Sequence, residues 1–337
     1  MNRTSPIDSC IVVGAGISGL LAATRLQEHC LRVVVLDKGS GVGGRMATRR
    51  IEQGRCDHGA QFFTARDPVF MALAASWLES GAAREWCRGF PGVDGKTRPD
   101  AHPRYRGADG MVSIPKHLAH GLDIRSGERV ISTTHRGRKW SVRTANGTVY
   151  EADSLLLTPP VPQTLALLDA GSVRLEDSEL TALEAISYEP CIAVLALMSG
   201  PTALPIPGAV EFPAEHIDWI ADNQQKGISP LACCVTIHAG AEFSRAHQTT
   251  DDTEVGALLL RSAGSLLPHP ARIVQVHRWR YARPVRLHPS PYLYAAGTPP
   301  LAFAGDAFGA PRIEGAAISG LAAASALLAA AKPATLL

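Results

Sequence analysis

The chain has 337 residues, of which 46% are hydrophobic, and its 33 basic residues nearly balance 31 acidic ones. This length allows one large domain or two ordinary ones, and the apolar content excludes a mainly disordered chain. A formal net charge of +2 lacks the clustered basic excess that nucleic-acid binding needs. We therefore expect no nucleic-acid partner.

Seven cysteines are scattered without a CxxC pair, and Cys233 and Cys234 are adjacent. Adjacent cysteines suit neither an ordinary disulfide nor a zinc knuckle, so we expect reduced thiols, no metal and a cytoplasmic location. The polar first nine residues and the short apolar run after them predict no signal peptide. Residues 315–331 are apolar but rich in Ala and Gly, which favours a closely packed buried helix over a membrane span.

The first elements predict a parallel strand–turn–helix–strand unit. Residues 10–13 and 32–36 are typical of short buried strands, and residues 20–30 have helical periodicity. Between the first strand and the helix lies a GxGxxG motif, Gly14-Ala15-Gly16-Ile17-Ser18-Gly19. The second strand ends at Asp37, 18 residues after Gly19, which is the context that a dinucleotide site requires.

Each part of this motif has a physical role. Gly14 would form the tight turn, Gly16 would admit a pyrophosphate close to the backbone, and Gly19 would allow close helix–strand packing. The helix N-terminus offers free N–H groups and a partial positive charge to phosphates. Asp37 would accept hydrogen bonds from ribose hydroxyls.

The remainder of the chain predicts a sheet-rich middle and a late return to the first unit. Asn146-Gly147 marks a hairpin, residues 88–110 read as a long loop, and residues 301–304 form a last short strand. Antiparallel strands are predicted at 191–198, 231–238 and 272–281. We predict a nucleotide-binding domain of residues 1–65, 112–165 and 290–337, interleaved with a substrate domain of residues 66–111 and 166–289.

A second glycine-rich loop, Gly39-Ser40-Gly41-Val42-Gly43-Gly44-Arg45, follows the second strand. Its backbone can run beside the same pyrophosphate, and Arg45 can add a guanidinium. The loop resembles the GG-R motif of the amine-oxidase-like flavoproteins, which bind an extended FAD. In those proteins a late Gly-Asp binds the ribityl chain or pyrophosphate, and a following helix points its N-terminus at the flavin. Gly305-Asp306 and residues 315–331 fit that pattern.

Further stretches resemble the renalase family, in particular its bacterial members. They are Asp57-His58-Gly59-Ala60-Gln61-Phe62-Phe63, His277-Arg278-Trp279-Arg280-Tyr281-Ala282 and Glu314-Gly315-Ala316. The resemblance implies an α/β fold of p-hydroxybenzoate-hydroxylase-like type, with a Rossmann-type FAD-binding domain and an antiparallel-sheet (α+β) substrate domain. It also implies noncovalent FAD, bound by Gly14, Ala15, Gly16, Ser18, Gly19, Asp37, Lys38, Gly44, Arg45, Gln61, Phe62, Val130, Gly305, Asp306 and Ile313.

The implied activity is oxidation of the 1,2- and 1,6-dihydro isomers of β-NAD(P), a form of metabolite repair. Hydride passes to flavin N5, β-NAD(P)+ leaves, and molecular oxygen reoxidises the flavin to give hydrogen peroxide. The partners are then a dinucleotide substrate and oxygen, with no membrane. The nitrogen of a dihydronicotinamide ring carries ribose and has no proton to lose. The protein therefore needs groups that position the ring rather than a general base.

Four residues of the middle region are candidate catalytic contacts: Asn223, His238, Trp279 and Tyr281. Trp279 and Tyr281 share one face of a strand and would flank a flat ring, although core aromatics show the same pattern. His238 is equally compatible with a structural histidine, Asn223 with a turn, and Gln61 with a strand-edge amide.

Three alternatives remain open: a flavin amine oxidase, a lipid or carotenoid-type desaturase, and a non-enzymatic flavin-binding protein. No cysteine follows Cys234 to carry a covalent flavin near the C-terminal end, and Lys226 is the only lysine between Lys139 and Lys332. Both facts disfavour the amine oxidase. The middle region contains several arginines, which suit a phosphate-bearing substrate better than the lipid of a desaturase. They are Arg98, Arg104, Arg106 and Arg280.

Overall fold

The computed structural model describes residues 7–92, 102–211, 216–296 and 298–331. The chain divides into two compact units that alternate along the sequence. The first unit comprises Met1–Gly44, Pro115–Ser187 and Pro284–Leu337, and the second comprises Arg45–Ile114 and Tyr188–Arg283. Arg98 lies outside the described residues.

Strands and helices alternate in the first unit, whereas strands dominate the second. In chain order the strands are β1 (Ser9–Val13), β2 (Arg32–Asp37), β3 (Thr48–Ile51), β4 (Gly54–Asp57), β5 (Ala83–Cys87), β6 (Arg104–Gly107), β7 (Asp123–Ser126), β8 (Val130–Arg136), β9 (Lys139–Thr144), β10 (Val149–Ala152), β11 (Ser154–Leu157), β12 (Ser187–Met198), β13 (Ala209–Glu211), β14 (Ile217–Asp222), β15 (Cys234–Ala239), β16 (Ala271–Arg286), β17 (Leu293–Ala295) and β18 (Leu301–Phe303). The helices are α1 (Ile17–Glu28), α2 (Pro68–Glu79), α3 (Ser113–Leu118), α4 (Val161–Ala170), α5 (Asp177–Glu184), α6 (Ala241–Ala246), α7 (Asp252–Ser262) and α8 (Arg312–Ala331).

The first unit is built on a six-stranded sheet of order β17-β18-β11-β1-β2-β7. All neighbours are parallel except β17, which runs antiparallel to β18. β1 is buried along its whole length, as expected for a central parallel strand. Because β2 lies on one side of β1 and β11 on the other, the strand order reverses there and opens a crevice at the carboxyl ends of the strands.

Helix α8 packs against α1 through very small residues. A Cβ added at Gly320 would lie 2.1–2.9 Å from the Ser18 backbone, with the carbonyl oxygen nearest at 2.1 Å. Ala317, Ala323 and Ala324 of the same helix are fully buried. By length and composition alone α8 is apolar enough to cross a membrane, a test that core helices of soluble proteins also pass. The prediction of a closely packed helix is confirmed.

The first unit also carries a three-stranded sheet of order β10-β9-β8. The predicted hairpin joins β9 and β10: Gly147 has φ +89°, and the Asn146 carboxamide accepts a hydrogen bond from the Thr148 N–H at 3.0 Å. Helix α4 lies against β8, where a Cβ at Gly171 would sit 1.7 Å from the Thr133 carbonyl oxygen.

The second unit is built on an antiparallel sheet of order β13-β14-β15-β12-β16, with two-stranded ribbons β3–β4 and β5–β6. An apolar core lies between this sheet and helices α6 and α7, and includes Val194, Val235 and Leu259. The predicted strands are confirmed as β12, β15 and β16, and β12 pairs antiparallel with β15. The prediction of a continuous loop over residues 88–110 is wrong, because β6 pairs with β5 within it; residues 93–101 of that range lie outside the description.

The unit boundaries differ from the sequence-based division at four places, which are residues 45–65, 112–114, 166–187 and 284–289. Residues 45–65 belong to the second unit, because β4 contacts β15 there. Residues 166–187 belong to the first unit, because α4 packs on β8. Composition alone does not mark where the chain passes from one unit to the other.

The expectation that all thiols are reduced is wrong. Cys56 on β4 and Cys234 on β15 form a disulfide, with their Cα atoms 6.0 Å apart, and five cysteines are free. The partners are 178 residues apart in sequence. Only the pairing of the two strands in space reveals that their Cα separation suits a disulfide.

Candidate functional site

The glycine loops of the first unit come together at the carboxyl end of β1. Gly14 has φ +103° and its N–H donates to the Leu36 carbonyl at 2.8 Å. The Gly43 N–H donates to the Ala15 carbonyl at 2.9 Å, which joins the second loop to the first. The predicted Gly14, Ala15 and Gly44 are therefore neighbours in one cradle.

The glycines of this cradle divide into packing and open positions. A Cβ at Gly19 would lie 2.0 Å from the Gly14 carbonyl oxygen, so this glycine permits the close packing that was predicted. A Cβ at Gly16 would meet nothing within 4 Å, and one at Gly44 would meet only the Gly16 Cα, at 3.9 Å. The space above Gly16 and Gly44 thus has room for a ligand that approaches the backbone.

The N-terminus of α1 faces this space without a cap of its own. It has no side-chain cap and no acidic residue in its first turn. Ser18 Oγ is buried and is one of the few described side-chain atoms without a hydrogen-bond partner. A buried hydroxyl and uncapped N–H groups fit the phosphates of a dinucleotide, which satisfy both.

Asp37 lies at the end of β2 and already accepts two hydrogen bonds, from the Ala15 N–H at 2.6 Å and the Gly39 N–H at 2.7 Å. It thereby fixes both glycine loops, and its remaining lone pairs are available to ribose hydroxyls. The neighbouring Lys38 instead donates to the Gln163 carboxamide at 3.2 Å.

The late Gly-Asp motif follows β18 on the same edge of the parallel sheet. Gly305 has φ +139° and donates its N–H to Ser319 Oγ at 2.8 Å; Asp306 is 8% exposed. Ile313 is buried in the first turn of α8. Val130 begins β8 in the three-stranded sheet, three residues beyond Gly127, whose N–H donates to the Gly39 carbonyl at 2.8 Å.

Three predicted cofactor residues belong to the second unit. Arg45 Nη1 donates to the Ala282 carbonyl at 3.1 Å, and its own carbonyl accepts from the Ala60 N–H at 2.8 Å. Gln61 Nε2 donates to the Asp57 carbonyl at 2.6 Å, which folds residues 57–61 into a tight loop. Phe62 joins an aromatic cluster with Trp86, Phe90 and Trp219.

The same loop places His58 against the predicted Trp279. The two rings stack at 5.2 Å with 22° between their planes, and Trp279 Nε1 donates to the His58 carbonyl at 2.7 Å. His277 meets both rings edge-on, at 5.0 Å and 4.2 Å. His238 Nε2 lies 3.3 Å from the same carbonyl.

All three histidines of this cluster favour the neutral form. Burial lowers the pKa of His58 to about 3 and that of His238 to about 4. Burial also lowers the pKa of His277, with a further contribution from the charge of Arg49. His58 Nδ1 is buried without a hydrogen-bond partner. The cluster therefore presents flat, uncharged rings at neutral pH.

The other two catalytic candidates are engaged in the fold. Asn223 is fully buried, and Nδ2 donates to the Cys234 carbonyl at 3.0 Å and to Thr236 Oγ1 at 2.9 Å. Its Oδ1 also accepts from the Asp57 N–H at 3.4 Å, so Asn223 ties β14 and β15 to the strand that leads into His58. The Tyr281 ring contacts that of Tyr188 at 5.6 Å, and its role beside Trp279 stays a prediction.

Sequence reasoning missed the ion pair between Asp57 and Lys226. The Lys226 ammonium lies 2.7 Å from Asp57 Oδ2 and 3.5 Å from Gln61 Oε1. Burial lowers the pKa of Lys226, and the Asp57 carboxylate opposes that change. Lys226 is the only lysine between Lys139 and Lys332, and this isolation was the one feature of the sequence that could have pointed to a special role for it.

Comparison with known proteins assigns the family. The NAD(P)-binding Rossmann-like domain matches residues 12–77, and the family described as flavin containing amine oxidoreductase matches residues 96–328. The chain belongs to that family. Renalase from Mus musculus is 25% identical over 85% of this chain and 91% of that protein. The chain is thus a renalase-like flavoprotein of the amine oxidase superfamily, and its cofactor is FAD.

Solved structures show the flavin amine oxidoreductase fold at low identity. A putative protoporphyrinogen oxidase from Exiguobacterium sp. aligns with TM-score 0.69 and 14% identity, over 98% of this chain and 99% of that chain. A putrescine oxidase with redesigned cofactor binding aligns with TM-score 0.69 and 16% identity, over 96% and 99%. These likenesses establish a mixed α/β fold with a Rossmann-like domain.

Proposed function

We propose that this flavoprotein oxidises the 1,2- and 1,6-dihydro isomers of β-NAD(P) to β-NAD(P)+, in a p-hydroxybenzoate-hydroxylase-like arrangement. Bound FAD would supply the chemistry by accepting hydride at N5 and passing the electrons to molecular oxygen, which becomes hydrogen peroxide. The role would be metabolite repair in the cytoplasm. Similarity to renalase supports the substrate class, and the following features of the second unit support it independently.

The observation that carries this proposal is the uncharged ring cluster of His58, His277 and Trp279. A dihydronicotinamide ring is flat and neutral, and its ring nitrogen has no proton to lose. It therefore needs positioning rather than a base. Neutral imidazoles and an indole fixed by its bond to the His58 carbonyl provide such a surface. A cationic product ring would also be accepted without charge repulsion.

The cluster around Phe62 disfavours a cationic amine as substrate. The Arg104 guanidinium lies 5.8 Å from the centre of the Phe62 ring and 5.1 Å from that of Phe90. A protonated amine that sought the same ring faces would meet this fixed positive charge. The buried Asp57 carboxylate does not attract an amine either, because Lys226 already neutralises it.

We propose that FAD is held noncovalently, through the cradle of the first unit. Gly14, Gly16, Ser18 and Gly44 would line the pyrophosphate, while Asp37 and Asp306 would hold the ribose and ribityl hydroxyls. His58 and Trp279 would orient the substrate ring, and Gln61 would keep the loop that carries His58 in place.

The product of the reaction tests this function. NAD+ reduced with borohydride gives the 2-, 4- and 6-dihydro isomers, which can be separated and supplied one at a time with air. We expect the 2- and 6-dihydro isomers each to yield β-NAD+ and one equivalent of peroxide, while the 4-dihydro isomer stays unchanged. Oxidation of putrescine or other amines, with no turnover of any dihydro isomer, would assign the protein to the amine oxidases instead.

A further inference from the structure

The second unit contains a cleft that the proposed chemistry does not use. Its volume is about 540 Å³, within the range of roughly 300–1,000 Å³ typical of small-molecule sites. The ribbon β5–β6 contributes Glu85, Trp86 and Arg106 to its lining, and the turn after β14 contributes Lys226 and Gly227. The Glu85 carboxylate is paired with Arg88 at 2.9 Å.

Two arginines that form no direct ion pair in the described part of the chain stand beside this cleft. Arg84 and Arg106 are directly opposite each other in the β5–β6 ribbon, so their side chains share one face. Like charges in that position are destabilising. Neither forms an ion pair within the described part of the chain, whereas the neighbouring Arg55 and Arg88 both do. The ribbon therefore has a positive charge that its own residues leave uncompensated.

The Arg106 guanidinium is held in a fixed orientation. Its Nη1 donates to the Gly107 carbonyl at 3.1 Å and the Ala108 carbonyl at 2.8 Å. Its Nη2 reaches over Gly227, where an added Cβ would lie 2.9 Å away. Burial lowers the pKa of Arg106 and the charge of Arg84 adds to this effect, while the more distant carboxylates of Asp57 and Asp109 oppose it. A pre-oriented, partly desolvated guanidinium binds an oxyanion at little entropic cost.

Trp86 provides a flat apolar wall in the same cleft. Its Nε1 donates to the Pro207 carbonyl at 3.0 Å, and the Lys226 ammonium lies 4.9 Å from the ring centre. Lys226 contributes little free charge because Asp57 neutralises it. A rigid indole next to a guanidinium suits a ligand that joins a planar base or a sugar to phosphate.

We propose that this cleft binds the phosphate groups of a nucleotide, with Arg106 as the main contact and Trp86 as the wall for its base or ribose. The ligand's identity as the non-reacting arm of the dinucleotide substrate rests on the proposed function. Lys226 lies in the cleft wall and bonds to Asp57, the residue before His58, so the arm and the ring would be held by connected parts of one unit. A free nucleotide would satisfy the same chemistry.

Binding of ADP-ribose to the FAD-loaded protein tests the cleft by calorimetry, because this ligand lacks the nicotinamide ring and its binding requires no turnover. We expect Arg106→Gln to weaken binding at least ~10-fold, and Arg106→Lys to weaken it less. The matched control is Arg272→Gln, which removes an exposed arginine paired with Glu52 and should leave binding unchanged. Equal affinity for wild type and Arg106→Gln, or no binding at millimolar ADP-ribose, would overturn the proposal.

Steady-state kinetics separate the two sources of the nucleotide. If the cleft holds the substrate's own arm, Arg106→Gln raises KM for the dihydro-NAD isomers with kcat nearly unchanged. It then has no effect on the corresponding phosphate-free ribosides. If a separate nucleotide binds there, ADP-ribose binds without competing with substrate. The protein could also bind ADP-ribose through Arg106 and yet oxidise no dihydro isomer. That result would support the nucleotide site in the cleft and contradict the proposed function.

Discussion

The Lys226 ammonium lies 2.7 Å from the Asp57 carboxylate, and both side chains are fully buried. Asp57 ends β4, whereas Lys226 lies in the turn after β14. The other carboxylate oxygen of Asp57 accepts from the Met111 N–H at 2.8 Å and from the Thr48 hydroxyl at 2.5 Å. This one carboxylate therefore joins three segments beneath the loop that carries His58 and Gln61.

We expect Lys226→Met to lower the free energy of unfolding by about 3–5 kcal/mol, because it leaves the Asp57 charge buried and unpaired. Urea unfolding followed by circular dichroism measures this. Arg272→Met breaks an exposed pair and should cost no more than about 1 kcal/mol. The double variant Asp57→Asn with Lys226→Met should recover part of the loss. A single Lys226 variant as stable as wild type would show that the pair does not hold the unit together.

Asp37→Ala and Asp306→Ala should each reduce the amount of FAD that stays bound through purification. Both carboxylates lie at the carboxyl edge of the parallel sheet, and Asp37 also fixes the two glycine loops. The FAD-to-protein ratio, read from the absorbance spectrum, measures the effect. Asp123→Ala changes an exposed carboxylate of the same unit and should purify fully yellow. A fully loaded Asp306 variant would remove that residue from the cofactor site.

Trp279→Ala should slow flavin reduction by substrate at least ~10-fold while FAD binding changes little, since the indole orients the substrate ring. Trp279→Phe keeps an aromatic ring but loses the hydrogen bond to the His58 carbonyl, so an intermediate rate is expected. Rapid-mixing reduction rates and FAD dissociation constants separate the two effects. Tyr294→Ala, in the first unit, is the control. A wild-type rate in Trp279→Ala would contradict the assignment of this residue.

Stability should fall as the pH drops from about 6.5 towards 4. Burial holds the pKa of His58 near 3 and that of His238 near 4, below the 6.5 of an exposed histidine. The unfolded chain therefore binds protons in this range that the folded chain excludes. Each histidine contributes at most about 1.4 kcal/mol per pH unit.

Urea midpoints between pH 4.5 and 7 measure this slope. His58→Asn should make the slope shallower, because it removes one of the protons that the folded chain excludes. His29→Asn changes an exposed histidine and should leave the slope as it is in wild type. If His58→Asn retains the full wild-type slope, His58 is not the buried neutral group that the geometry indicates.

The cofactor cradle was predictable because its parts are local. Gly14, Gly16 and Gly19 have spacings set by one turn and one helix, and Asp37 ends the adjacent strand. The small residues of α8 likewise indicated close packing, which Gly320 makes against Ser18. The sequence did not show that the Asp37 carboxylate also accepts hydrogen bonds from the backbone of both glycine loops.

The second unit was harder to predict because its contacts are remote in sequence. The Asp57–Lys226 pair spans 169 residues and the Cys56–Cys234 disulfide spans 178, and neither pairing has a spacing signature. Trp279 was singled out as a substrate contact, which stays a prediction, whereas its neighbour His58 was noted only as part of a resemblance motif. Strand periodicity placed Trp279 and Tyr281 on one face, but it did not show that their rings contact different neighbours.

The most direct test is an anaerobic stopped-flow mix of the FAD-loaded protein with borohydride-reduced NAD+. We expect rapid loss of the flavin absorbance near ~450 nm, driven by the 2- and 6-dihydro isomers, with the 4-dihydro isomer left unconsumed. A flavin that stays oxidised with this mixture, or that is reduced only by the 4-dihydro isomer or by amines, would contradict the proposed activity.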